Sequence, residues 1–175
     1  MRKIHRNGRR GSAIVEFALG AIPLIFIWIS IVQMALGMWR YHTLQYAAKV
    51  AGAYAAVHGI TCVTGTNSCS VGIDDIAAVF QTAAIGQPAS QISLTFTTDS
   101  GVATTCNLGG STNLCSSYTS AWPPSGDNQI GKTLAIRADY TFSSALSMVT
   151  LGPGGGVVKF ASAGLPGDTK QVIQY

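Results

Sequence analysis

The first third of the chain is dominated by a long run of apolar residues. From Ile14 to Trp39 only Glu16, Ser30 and Gln33 interrupt this run. A helix rises about 1.5 Å per residue, so the segment would be roughly 39 Å long, whereas the hydrocarbon core of a bilayer is about 30 Å thick. The pattern therefore predicts a helix that spans a membrane with some tilt or projects beyond it.

The helical pattern continues past the membrane-length segment. From Tyr41 to His58 the sequence has no proline, is rich in alanine and carries apolar residues at helical spacing. These positions are Leu44, Ala48, Ala51 and Ala55. Together with the apolar segment, this stretch predicts one helix of about 45 residues. Small side chains on its inner stripe would let a sheet pack closely against it. Trp39, Tyr41 and Tyr46 are then expected at or beyond the outer membrane interface.

Beyond residue 70 the pattern predicts one short helix and a small sheet. Apolar residues at helical spacing, with two aspartates in the first turn, predict a helix from Ile73 to Ile85. Alternation of apolar and polar residues then predicts strands. The expected strands are Ile92–Thr97, Val102–Leu108, Thr133–Phe142 and Val157–Ala161, with a long polar loop at 109–131. We therefore predict an α+β fold, in which a long N-terminal transmembrane helix extends into a domain with a short second helix and a small antiparallel β-sheet.

Positive charge is concentrated at the amino terminus. Residues 1–11 carry five cations and no acid, residues 12–39 carry only Glu16, and the remainder carries six bases and six acids. By the positive-inside rule, the amino terminus stays in the cytoplasm and the later part is translocated. We expect a leader peptide at 1–11, a transmembrane helix at 12–39 and an extracytoplasmic domain at 40–175. This neutral domain offers no basic face, so no nucleic-acid partner is expected.

The chain has four cysteines, all in the part that is expected to be translocated. They are Cys62, Cys69, Cys106 and Cys115. An even count in an oxidising compartment predicts two disulfides, with three possible connectivities. We favour the local pairs Cys62–Cys69 and Cys106–Cys115, because each would close a short polar loop. Zinc is the alternative, but the spacings are wider than in the usual knuckles and no histidine is near, so no metal or cofactor is expected.

One segment formally matches a phosphate-binding loop. Residues 126–133 have the spacing Gly-x-x-x-x-Gly-Lys-Thr. Such a loop works when a strand leads into it and a helix follows, because the helix amino terminus then faces the phosphates. Here Trp122, Pro123 and Pro124 come before the loop and the clearest predicted strand follows it, which argues against nucleotide binding.

We predict no catalytic site, and we expect His42 and His58 to face solvent or an interface.

An acidic residue lies near the start of the apolar segment and requires an explanation. A charge in a membrane costs roughly 2.5–3.5 kcal/mol at the helix centre and less near an edge, so such residues normally have a partner. If the chain is cut after Gly11, the new amino terminus at Ser12 lies one helical turn before Glu16. The ammonium of a neighbouring subunit would then pair with this carboxylate and set the stagger between subunits. The alternative is a glutamate at the cytoplasmic edge that pairs with Arg9 or Arg10.

These residues resemble the cleavage motif of type IV prepilins, which has a basic leader, a glycine at the cut and glutamate as the fifth mature residue. Within that superfamily, the sequence Glu16-Phe17-Ala18-Leu19, the following Pro23 and the alanine-rich stretch from Tyr46 to Ala56 resemble the TadE-like family. Members of this family are minor pseudopilins of tight-adherence (Flp) type IV pilus systems. The resemblance covers roughly residues 9–56 and is only general beyond them.

The resemblance has several functional implications. Gly11 and Ser12 would flank the cut made by a prepilin peptidase, and Glu16 with Phe17 would serve processing or assembly. The partners would be that peptidase, other pilins or pseudopilins, inner-membrane assembly proteins and the lipid bilayer. The protein would be a single-pass inner-membrane protein with a cytoplasmic amino terminus, a pilin-like domain outside and a place in the pilus itself. The domain is much larger than that of the major Flp pilin, which favours a minor subunit over the main shaft component.

Two other functions remain open from the sequence. The rival is an uncleaved single-pass envelope protein whose outer domain binds a ligand. An exported enzyme is more distant because no catalytic constellation is visible. A secretory signal peptide would have an apolar stretch of about 7–15 residues and a small-residue cleavage site, whereas this stretch is longer and ends in Trp-Arg-Tyr-His.

Overall fold

The computed structural model describes residues 10–58, 71–142 and 163–174. The chain divides into two compact units, Met1–Gly37 and Met38–Tyr175. A single helix, α1, extends from Arg10 to Val57 and contributes to both units. It passes through Pro23, which removes one backbone hydrogen-bond donor from the helix. The long helix predicted from the sequence is therefore confirmed.

The second unit contains the rest of the secondary structure. A short helix, α2, runs from Ile73 to Ala83, two residues shorter than predicted. Four strands follow: β1 Ile92–Thr97, β2 Ala103–Asn107, β3 Thr133–Phe142 and β4 Ala163–Val172. They form one antiparallel sheet in the order β2-β1-β3-β4. The predicted α+β fold is confirmed, and β1 and β3 have the bounds that alternation predicted.

The core of this unit lies between the helices and one face of the sheet. The alanine stripe of α1 is fully buried, and so are the inward side chains of β1 and β3. Apolar residues at helical spacing on α2, which include Ile76 and Phe80, are buried as well. Gly167 on β4 shows how closely α1 approaches the sheet, because a Cβ there would lie 3.0 Å from the carbonyl carbon of Leu44.

The last strand of the sheet, β4, was not predicted from the sequence. The predicted strand Val157–Ala161 lies outside the described residues, and alternation did not predict β4 at Ala163–Val172. Proline and glycine usually argue against a strand, and β4 contains Gly164, Pro166 and Gly167. They are tolerated because β4 is an edge strand, where one side of the backbone needs no strand partner, and because the close approach of α1 requires a residue without a side chain at Gly167.

The long loop between β2 and β3 packs onto the sheet. Its Trp122 is buried and meets the ring of Phe96 edge to face, with 5.4 Å between the ring centroids. Cys106 on β2 forms a disulfide with Cys115 in this loop, which confirms one of the two favoured pairs. The other favoured pair, Cys62–Cys69, lies outside the described residues.

Candidate functional site

The part of α1 in the first unit exposes its apolar side chains on all sides. The large apolar residues from Ile14 to Leu36 have exposed fractions between 37% and 78%. In water this much exposed apolar surface would be unfavourable, whereas in lipid it is stabilised. By length and composition the helix is able to cross a membrane, which makes it compatible with a single-pass anchor.

Glu16 lies on one face of this helix beside small residues. A shallow concavity of about 730 Å³ follows this face over three turns. It is lined by Ala13, Glu16, Phe17, Gly20, Ala21, Leu24 and Ile25. The glycine and the two alanines contribute little side-chain volume to this face, which they share with Glu16 and Phe17.

A face of this kind is suited to contact with another helix. In membranes, small residues let two helix backbones approach, and dispersion and polar contacts then hold them together. Glu16 is exposed on this face, so its carboxylate is open to a group from another molecule. Gly11 and Ser12 lie at the start of the same helix, within about one turn of Glu16. Glu16 and Phe17 were predicted from the sequence, whereas Gly20 and Ala21 were not, although they follow Glu16 at a spacing of about one helical turn.

The segment that resembles a phosphate-binding loop forms part of a turn instead. Lys132 pairs with the carboxylate of Asp99 at 3.0 Å, and Thr133 begins β3. A strand therefore follows the glycine-lysine-threonine sequence, as the alternation predicted. This arrangement lacks the helix that would place amide groups toward a phosphate.

Asp99 accepts hydrogen bonds from Lys132 and Thr133, where β3 begins. The hydroxyl of Thr133 donates at 2.7 Å and its backbone amide at 3.2 Å, while the ammonium of Lys132 donates at 3.0 Å. These contacts, led by the Thr133 hydroxyl, lower the pKa of Asp99 to about 2. The Ser100 hydroxyl similarly lowers the pKa of Asp127. The two carboxylates thus fasten the β1–β2 turn to the loop before β3.

We expect the Asp99→Asn variant to lose part of the acid sensitivity of this domain. The pKa of Asp99 is lower in the folded than in the unfolded chain, so its contribution to stability is present above about pH 4 and is lost as the pH falls toward 2. Thermal unfolding at about pH 5 and about pH 2.5 would measure the difference. The exposed Asp168→Asn variant is the control. An unchanged pH dependence in Asp99→Asn would contradict this contribution.

The two histidines that the sequence singled out and one ion pair of the sheet lie at the surface. His42 is exposed, and His58 stacks on Tyr54 with 4.2 Å between the ring centroids. The guanidinium of Arg137 pairs with Asp139 at 3.0 Å on the outer face of β3, which raises the pKa of Arg137. Both partners are largely exposed, so this pair adds little to stability.

One polar contact was not visible in the sequence. The guanidinium of Arg40 stacks over the rings of Tyr140 and Phe142, 5.4 and 5.5 Å from their centroids. It also donates a hydrogen bond to the hydroxyl of Tyr140. The contact joins residues a hundred positions apart, so no local pattern signals it. It fixes α1 to the end of β3.

Together these features define a class of protein: an α+β domain that continues a helix compatible with a single-pass membrane anchor. Residues 11–52, about a quarter of the chain, match the family model described as TadE-like protein. This match confirms the TadE-like resemblance that the same residues indicated, and it supports an association with the Tad pilus system and with partners from that system in general. No curated protein and no solved structure matches the chain.

Proposed function

We propose that the chain is a TadE-like minor pseudopilin, a membrane-anchored structural or assembly subunit of a tight-adherence (Flp) pilus. A prepilin peptidase cuts it between Gly11 and Ser12, and the cytoplasmic leader is removed. The apolar part of α1 stays in the inner membrane, and the domain that follows lies outside it. The protein acts through contacts with other subunits rather than by catalysis.

The observation that carries this proposal is the exposed carboxylate of Glu16 on an apolar helix face. The described side chains that share this face are small or apolar and carry no positive charge, and the side chains of Arg9 and Arg10, the alternative partners, lie outside the described part of the chain. An ammonium at the amino terminus of a second subunit meets this need, because the two helices then neutralise both charges as they pack. The glycine and alanines on the same face provide the room for that helix.

The location of the family match supports the same assignment. It begins at Gly11, the residue at the proposed cut, and ends in the alanine-rich part of α1. The matched residues are therefore those that would be processed, inserted and bundled. The sheet and its loops lie outside the match, which fits a family that shares an anchor and varies in the outer domain.

The test is the mass of the mature protein isolated from its native membrane. A start at Ser12 is expected in the natural chain, whereas Gly11→Leu should retain Met1 because a bulky side chain blocks the peptidase. Gly8→Leu, which places the same side chain inside the leader, should be cut normally. A natural chain that keeps its leader would overturn the proposal in favour of an uncleaved envelope protein, and a start beyond residue 30 would indicate a secreted one.

A further inference from the structure

A second apolar surface lies in the domain, where α1 enters it. Trp39, His42, Thr43 and Tyr46 follow one another at helical spacing on one side of α1. Together with Ala83 and Ile85 they line a groove of about 420 Å³. Trp39, Tyr46 and Ile85 are 49%, 62% and 72% exposed, and we refer to these three residues as the Trp39 patch.

The turn after α2 is held against Trp39. Gly86 has a φ of +74°, and a Cβ at this position would lie 2.8 Å from the outer edge of the Trp39 indole. Only glycine therefore satisfies both the backbone conformation and the close approach. Because Gly86 and Ile85 are adjacent, the depth of Trp39 in a membrane also sets the depth of Ile85.

The chain itself places Trp39 near the membrane surface. Trp39 ends the apolar run that begins at Ile14, whose side chains are exposed and need lipid around them. Tryptophan and tyrosine favour the headgroup level of a bilayer, where the ring is in an apolar layer and the polar atom reaches water. His42 and Thr43 add polar atoms among the rings, which matches that mixed environment better than a dry protein contact does.

We propose that the Trp39 patch binds the phospholipid interface, so that the turn at Ile85 forms a membrane contact in addition to that of the anchor helix. Ile85 lies more than forty residues from Trp39 in the sequence and would otherwise be an exposed aliphatic side chain in water. The contact restrains the domain against the bilayer before it joins other subunits. The inference rests on the membrane anchoring of the proposed function, but it requires neither cleavage nor pilus assembly.

Photocross-linking of the full chain tests this contact. The photoreactive residue p-benzoylphenylalanine replaces Ile85 in one variant and Ile130 in another, and each is reconstituted into phosphatidylcholine bilayers and irradiated. Ile130 is the matched control because it is 73% exposed and lies in the loop before β3. Intact-mass spectra report a lipid adduct as one added phospholipid mass.

We expect position 85 to form the phospholipid adduct at least about ten-fold more than position 130. Equal adduct at the two positions would overturn the inference. Adducts at position 85 that join two protein chains instead of a chain and a lipid would also overturn it, because the patch would then bind a second copy. Neither result would affect the mass of the mature amino terminus, so failure here is separate from failure of the pseudopilin proposal.

Discussion

The Glu16→Ala variant is expected to insert into the membrane normally and to lose pilus assembly. Removing a carboxylate from an apolar segment lowers the cost of insertion, which for a charge is up to about 2.5–3.5 kcal/mol at the helix centre and less near an edge. The same change removes the partner of the incoming ammonium, so that ammonium would be left without a countercharge between the helices. The substitution therefore favours insertion but disfavours assembly, and this difference separates a role of Glu16 in assembly from a role in the anchor.

Two measurements are needed on the same cells. Resistance of the protein to alkaline extraction reports insertion, and the amount of sheared surface pili reports assembly. We expect unchanged insertion and a loss of pili of at least about ten-fold. Ser30→Ala is the matched control, because Ser30 is a polar residue in the same segment whose hydroxyl bonds only to the carbonyl of Phe26 in its own helix. Normal piliation in Glu16→Ala would remove the assembly role.

The elements that sequence predicted well are those whose side chains obey a local period. In β1, Ile92, Leu94 and Phe96 alternate with polar residues and all three are buried. The alanine stripe of α1 repeats at helical spacing and is buried in the same way. In each case one face of the element is buried, and the spacing of the apolar residues indicates which residues lie on that face.

The features that sequence did not predict depend on contacts between distant residues. Strand β4 contains Pro166 and Gly167, and these residues make sense only once the strand is known to lie at a sheet edge beside α1. The stacking of Arg40 on Tyr140 and the packing of Gly86 on Trp39 are of the same kind. Local periodicity contains no information about which elements become neighbours.

The candidate site was likewise predicted only in part from the sequence. Glu16 was found because a charge in an apolar run is conspicuous in any conformation. The small residues that share its face become meaningful only on a helix, where Gly20 lies one turn from Glu16. The group that would neutralise Glu16 is expected on another molecule, so a single chain supplies half of this site.

The Ala51→Leu variant is expected to destabilise the domain by about 2–3 kcal/mol, because it overpacks the contact between α1 and the sheet. Ala51 is completely buried within the core, and Ala48 and Ala55 on the same stripe are completely buried too. Close packing extends to the next residue, because a Cβ on Gly52 would lie 2.7 Å from the methyl group of Thr169. A leucine has no room here unless the helix moves away from β4.

Urea unfolding of the full chain in detergent, followed by the near-ultraviolet signal of the buried Trp122, measures this change. The control is Ala53→Leu, which makes the same substitution at an exposed position of the same helix. Alanine and leucine have similar helix propensities, so the control should stay within about 0.5 kcal/mol of the natural chain. If both variants unfold at the same urea concentration, the alanine stripe is not what allows α1 to approach the sheet. A large difference confined to Ala51→Leu would show that small side chains are required there, since the two variants differ only in the face that carries the leucine.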